Sequence, residues 1–170
     1  MSHPARRAPA RWGIPRAMQR LTRPEIQRLT EAAPAILHVY ESVLNTIFDE
    51  QGARWTDFKL RVGGAMSAVE LALNSRLQTR RALWHASMAL MSLKGAAPKG
   101  HDAEGTIETL ASVAHTLSIV SIACDSEVAS EESVRQAQVF IARLPAGEMA
   151  LGALVAAHEA TFPDESQARR

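Results

Sequence analysis

The sequence predicts an all-α protein, a single-domain bundle of six or seven mostly antiparallel helices with a flexible N-terminal arm. Three observations lead there. Apolar residues recur at i, i+3 and i+4 through most of the chain, the spacing that lines one face of a helix. The apolar content comes from Ala, Leu and Met, with aromatics at only 5%, which suits helix interiors better than the β-branched and aromatic surfaces of sheets. No alternating apolar run is bounded by turn signals, and the hairpin dipeptides Asn-Gly and Asp-Gly are absent. With 170 residues the chain fits one domain, large enough to bury about two-thirds of its unfolded surface.

Residues 1–21 contain three prolines and little apolar periodicity, so they read as an arm whose anchors would be Trp12, Ile14 and Met18. The helical domain is expected over residues 22–163. It opens at Thr22-Arg-Pro-Glu25, with the spacing of a capping box. Ile26, Leu29 and Ala33 follow at helical spacing, and Pro34 is expected to break or kink this first helix by removing a donor and crowding the preceding turn. A second amphipathic helix carries Leu37, Tyr40, Val43 or Leu44, and Ile47 to a stop at Gly52. A third starts at Thr56-Asp57, with Gly63-Gly64 weakening its first turns, so the firmer part is expected from Ala65 to about Leu77.

From Thr79 to Lys94 the chain is apolar nearly all round, which predicts a central helix stopped by Lys94-Gly95. After the loop 95–102, Ile107, Leu110, Ala114, Leu117 and Cys124 line a further helix. Ser130-Glu131-Glu132 opens another, ended by Pro145, and a last one holds Met149, Leu151, Leu154 or Val155, His158 and Phe162. Pro163 and the tail 164–170 are expected to be frayed.

Charge is sorted along the chain. Residues 1–23 hold six arginines and no acid; up to residue 100 there are fifteen Lys and Arg against seven Asp and Glu, and after it four against eleven. The net charge is nonetheless only +1. A basic arm attracts phosphate-rich partners or acidic surfaces, and the chain's own second half is one such surface. One cysteine, no CxxC pair and no apolar segment of the secretory kind near the N-terminus make the cytoplasm the expected compartment. No 18-residue stretch is free of polar groups, so no membrane span is expected.

Catalytic signatures are missing. There is no Gly-x-Ser-x-Gly elbow and no phosphate-binding glycine loop, and Cys124 sits in an apolar run with no partner histidine in view. No cofactor is expected. The nearest approach to a metal site is His38 and Glu41 on one helical face, with Glu108 and His115 to meet them across a bundle; the Glu-x-x-His pair of carboxylate-bridged metal proteins is absent.

Two binding readings remain. Nucleic-acid contact would use Arg6, Arg7, Arg11, Trp12, Arg16, Arg20 and Arg23 of the arm, joined by Arg76, Arg80 and Arg81 at i, i+4 and i+5. The plain alternative for the last three is an exposed face paired with acids of the second half. Protein binding, including self-association, would use Trp84, Met88 and Met91, whose i, i+4, i+7 spacing fits core residues first and groove anchors second. With no catalytic constellation, a non-catalytic interaction or assembly module is the expected function. A nucleic-acid-binding accessory protein is the alternative, and a helical metalloenzyme the third.

Overall fold

The computed structural model describes residues 20–50, 57–74, 78–97, 99–100, 102–125 and 127–168. They form an all-α bundle: α1 (Arg23–Glu50), α2 (Asp57–Asn74), α3 (Thr79–Met91), α4 (Glu104–Ala123), α5 (Glu131–Arg143), α6 (Leu151–Thr161) and α7 (Pro163–Ala168), with no strand among the described residues. The expected arm up to residue 19 lies outside them, as does Arg76.

The predicted start signals are present as hydrogen bonds. Thr22 N–H donates to Glu25 Oε2 at 2.7 Å while Glu25 N–H donates to Thr22 Oγ1 at 3.3 Å, a reciprocal capping box at the head of α1. Ser130 Oγ accepts from Ser133 N–H at 3.0 Å and caps α5. The stop after α3 also holds: successive i to i+3 bonds tighten the chain through Leu93, Lys94 and Ala96, and Gly95 takes φ +71°, a left-handed conformation that costs glycine little.

Neither Pro34 nor Gly63-Gly64 breaks its helix. α1 runs unbroken through Pro34. Pro34 faces solvent, and the carbonyl it leaves without a helical partner belongs to exposed Thr30. On the opposite face Leu29, Ala33, Ile36, Leu37, Tyr40, Leu44 and Ile47 are buried in one continuous stripe, so both halves are held to the same core. Burial of large aliphatic side chains, about 1.5–3 kcal/mol each, outweighs one interior proline at about 3 kcal/mol. α2 likewise continues through Gly63-Gly64, because Phe58, Val62, Ala65, Val69 and Ala72 anchor both sides. A Cβ on Gly63 would meet the Phe48 ring at an ordinary 3.7 Å, so packing does not require glycine there. At the other end, the tail expected to fray is helical to Ala168: Pro163 is the first residue of α7, where a missing N–H costs nothing, and Asp164 and Glu165 sit at its positive end.

α4 is the central element. Eleven of its residues are buried, and α3, α5 and α6 pack on it, while α1 spans both halves by touching α2, α3, α5 and α6. α4 is also the one described helix long and apolar enough to cross a bilayer; its buried faces here are covered by those neighbours.

Tyr40 is wholly buried in α1, and its hydroxyl has no hydrogen-bond partner among the described residues. Burial alone pushes its phenol far above the ordinary value. The folded chain therefore holds this proton more tightly than the unfolded one, and stability should fall as pH rises past the ordinary tyrosine value of 10.0. Tyr40→Phe removes an unsatisfied buried group whose burial costs about 1–3 kcal/mol. Urea denaturation of Tyr40→Phe should show unchanged or higher stability at neutral pH and a shallower alkaline decline than wild type; a loss of more than about 1 kcal/mol would show that the hydroxyl is satisfied.

Candidate functional site

α3 and α4 lie antiparallel, fixed at both ends of their seam by polar contacts. At one end the Arg80 guanidinium on α3 forms an ion pair with Asp125, just past the C-terminus of α4. At the other, Gly95 N–H donates to Glu108 Oε1 at 3.1 Å on the second turn of α4. Between these clamps Leu83, Ala86, Ser87 and Leu90 turn into the core. Trp84 and Met88 turn outward, 36% and 45% exposed.

Beside Trp84 runs an open groove of about 550 Å³. Arg80, Arg81, Trp84 and His85 form its α3 wall, and Ser121 and Ile122 line it from α4. Asp125 and Val128, from the loop before α5, complete it. Val128 is 66% exposed, the only large apolar residue of that loop.

The sequence-derived candidates separate accordingly. Arg80 follows its plain alternative and pairs with an acid of the second half, whereas Arg81 is exposed. Arg20 and Arg23 are exposed at the head of α1, and Arg6, Arg7, Arg11, Trp12 and Arg16 lie outside the described residues. Trp84 and Met88 are not core, although their spacing fits the core first: α3 has α1, α2 and α4 packed on it, yet this edge beside α4 carries no further helix among the described residues. Met91 is half-buried against the core and lines a different cleft.

The metal candidates do not assemble. No group of three or more His, Cys, Asp or Glu is placed to hold a metal among the described residues. His38 is exposed on α1, and Glu108 is engaged with the Gly95 amide. His115 instead flanks a cleft of about 490 Å³ with Lys94, Ser112, His158 and Glu165. There Thr116 Oγ1 lies 2.6 Å from His158 Nδ1, and the Phe162 ring centroid is 5.7 Å from that of His158 and 6.3 Å from that of His115. Thr116 is fully buried, so its hydroxyl orients the imidazole and is not placed to attack a substrate.

Sequence reasoning gave no role to His85, Ile122 or Val128. A signal for Val128 existed, since it is a lone aliphatic residue in the polar stretch Asp125-Ser-Glu-Val-Ala-Ser130; nothing in the sequence marked Ile122 as a surface residue rather than core. No family model matches the chain, and neither a curated protein nor a solved structure is significantly similar to it.

Cys124, at the end of α4, is half-buried and donates its S–H to Val120 O at 3.4 Å. Burial pushes its thiol above the ordinary range, and the Arg80 charge pulls part of the way back. The thiolate is the reacting species, so alkylation at neutral pH should be slower in the folded protein than in urea, and slower again in Arg80→Met. Faster alkylation of Arg80→Met, followed by mass spectrometry under native conditions, would contradict this electrostatic account.

Proposed function

We propose that the chain is a non-catalytic protein-interaction or assembly module that docks its partner along the α3 edge. The observation that carries this reading is the outward placement of Trp84 and Met88 on one stripe of α3, with Trp84 lining a groove that also exposes Val128. Single exposed apolar residues are ordinary on any protein. An aromatic and an aliphatic residue lining one concavity, with an exposed methionine one turn further along the same helix, supply the anchors and the pocket from which interface hot spots are built.

The test compares affinity capture from native extract by the wild-type chain, by Trp84→Ala/Met88→Ala, and by Leu60→Ala/Leu71→Ala, which truncates two exposed leucines of α2. The α3 variant should lose at least about tenfold of the specifically captured partner while the α2 variant retains it. Equal capture by both variants would remove the docking reading.

A second reading is favoured by a separate observation, the six arginines and absence of acid over residues 1–23. It gives the arm nucleic-acid contact, independent of the groove. Filter binding of duplex and single-stranded DNA across a salt series should show retention at low salt that falls steeply as salt rises, and loss of retention when those six arginines are replaced by Gln. A full-length chain that fails to retain either DNA at low salt would eliminate it.

A further inference from the structure

We propose that the outer face of α2 is a self-association surface, on which α2 of a second copy of this chain packs antiparallel about a two-fold axis. The face is separate from the α3 edge, since neither Leu60 nor Leu71 lines the groove there. α1 and α3 pack on α2 and bury Phe58, Val62, Ala65, Val69 and Ala72. The side turned away from that buried stripe carries Leu60, Gly64, Ser67 and Leu71, all exposed, the two leucines at 58% and 68%. Steps of four, three and four residues keep these side by side along one face of the helix.

The middle of this face allows close approach. Gly64 lies inside a helix, where glycine is less stable than alanine, and a Cβ there would meet nothing within 4 Å in its own chain. Packing within the protomer therefore gives no reason for the glycine. A helix laid against the face gives one, because the absent side chain lets two backbones come together. Ser67 Oγ already donates to Gly63 O at 3.1 Å, so its hydroxyl keeps a partner when the face is covered.

The symmetry of the pattern selects the occupant. Reversing α2 about the midpoint between Ala65 and Met66 exchanges Leu60 with Leu71 and Gly64 with Ser67. An antiparallel copy centred there sets leucine against leucine at both ends and glycine against serine in both middle layers, so the two halves of an isologous contact form at once. The charges follow the same reversal: Arg61 and Glu70, both exposed, also exchange. The antiparallel copy brings the Arg61 end of each helix beside the Glu70 end of the other, whereas a parallel copy would set like ends together. A face that is its own complement in apolar, small and charged positions fits a second copy of itself.

Sedimentation equilibrium of the full chain over a concentration series tests this, with circular dichroism of each variant to confirm its helix content. Wild type should show a monomer–dimer equilibrium. Gly64→Glu and Ser67→Arg alter exposed positions, and each sets two like charges into the centre of the contact, so each alone should weaken dimerisation at least about tenfold. An equimolar mixture of the two should restore it, because the antiparallel register places the new carboxylate of one chain opposite the new guanidinium of the other. Recovery in the mixture also demonstrates that both variants are folded. Trp84→Ala/Met88→Ala should dimerise as wild type does.

A wild-type chain that stays monomeric at every concentration overturns the proposal, as does a dimer indifferent to both single substitutions. A mixture that fails to recover overturns it by rejecting the antiparallel register, and a dimer lost in Trp84→Ala/Met88→Ala overturns it by placing self-association at the α3 edge. The docking reading is decided separately, by the capture experiment.

Discussion

The burial of α4 is the constraint on which the rest of the molecule depends. A helix with eleven buried residues has little outer face, and every neighbour must approach it closely. The sequence permits this with small side chains, among them Ala111, Ala114, Ser118 and Ser121, interspersed with Leu110, Leu117 and Val120. Hydroxyls at such positions would be costly without partners. Here they mostly return to the helix's own backbone: Ser121 Oγ donates to Leu117 O at 2.8 Å, and Ser118 Oγ to His115 O at 2.6 Å. The helix thus satisfies its own polar groups and leaves α3, α5 and α6 free to pack by shape.

With α4 fixed, the placement of α3 follows from the two clamps at the ends of their seam. Arg80 and Asp125 have side chains 35% and 29% exposed, and partly solvated ion pairs of this kind contribute on the order of 1 kcal/mol or less. Their effect is on register. An antiparallel pair held at Arg80–Asp125 and at Gly95–Glu108 has one sliding position, and in that position Leu83, Ala86 and Leu90 enter the core while Trp84 and Met88 do not. The same clamps draw together parts of the chain with opposite charge bias, so some of the charge sorting seen along the sequence is absorbed as local pairing.

The helix ends were legible from local chemistry alone: the capping box at Thr22, the serine cap at Ser130 and the glycine stop at Gly95 depend on residues three or four positions apart. What was not legible depended on tertiary burial. Pro34 carries a strong local breaking signal, but the stripe from Leu29 to Ile47 runs across it and the core holds both sides. The candidate site was half visible. Trp84 and Met88 could be named from their spacing, yet in a helix apolar nearly all round nothing local decides which face neighbours will cover. Ile122 and Val128 came to the groove only through the packing of α4 and the turn before α5.

The exposed apolar residues of α3 and α2 differ in their surroundings. Leu60 and Leu71 are exposed there too, but eleven residues separate them, about three helical turns, and neither borders the α3 groove. Trp84 and Val128 instead line one groove from two segments distant in sequence, with Met88 exposed one turn beyond Trp84. A groove whose walls are an edge helix clamped at both ends and a helix buried in the core is already shaped before anything binds. Docking there would spend little on reorganising backbone, and the ordering cost left to a partner is chiefly that of its own side chains. The packing of α4 therefore does more than stabilise the bundle: it places Trp84 of α3 beside the groove that Ile122 lines.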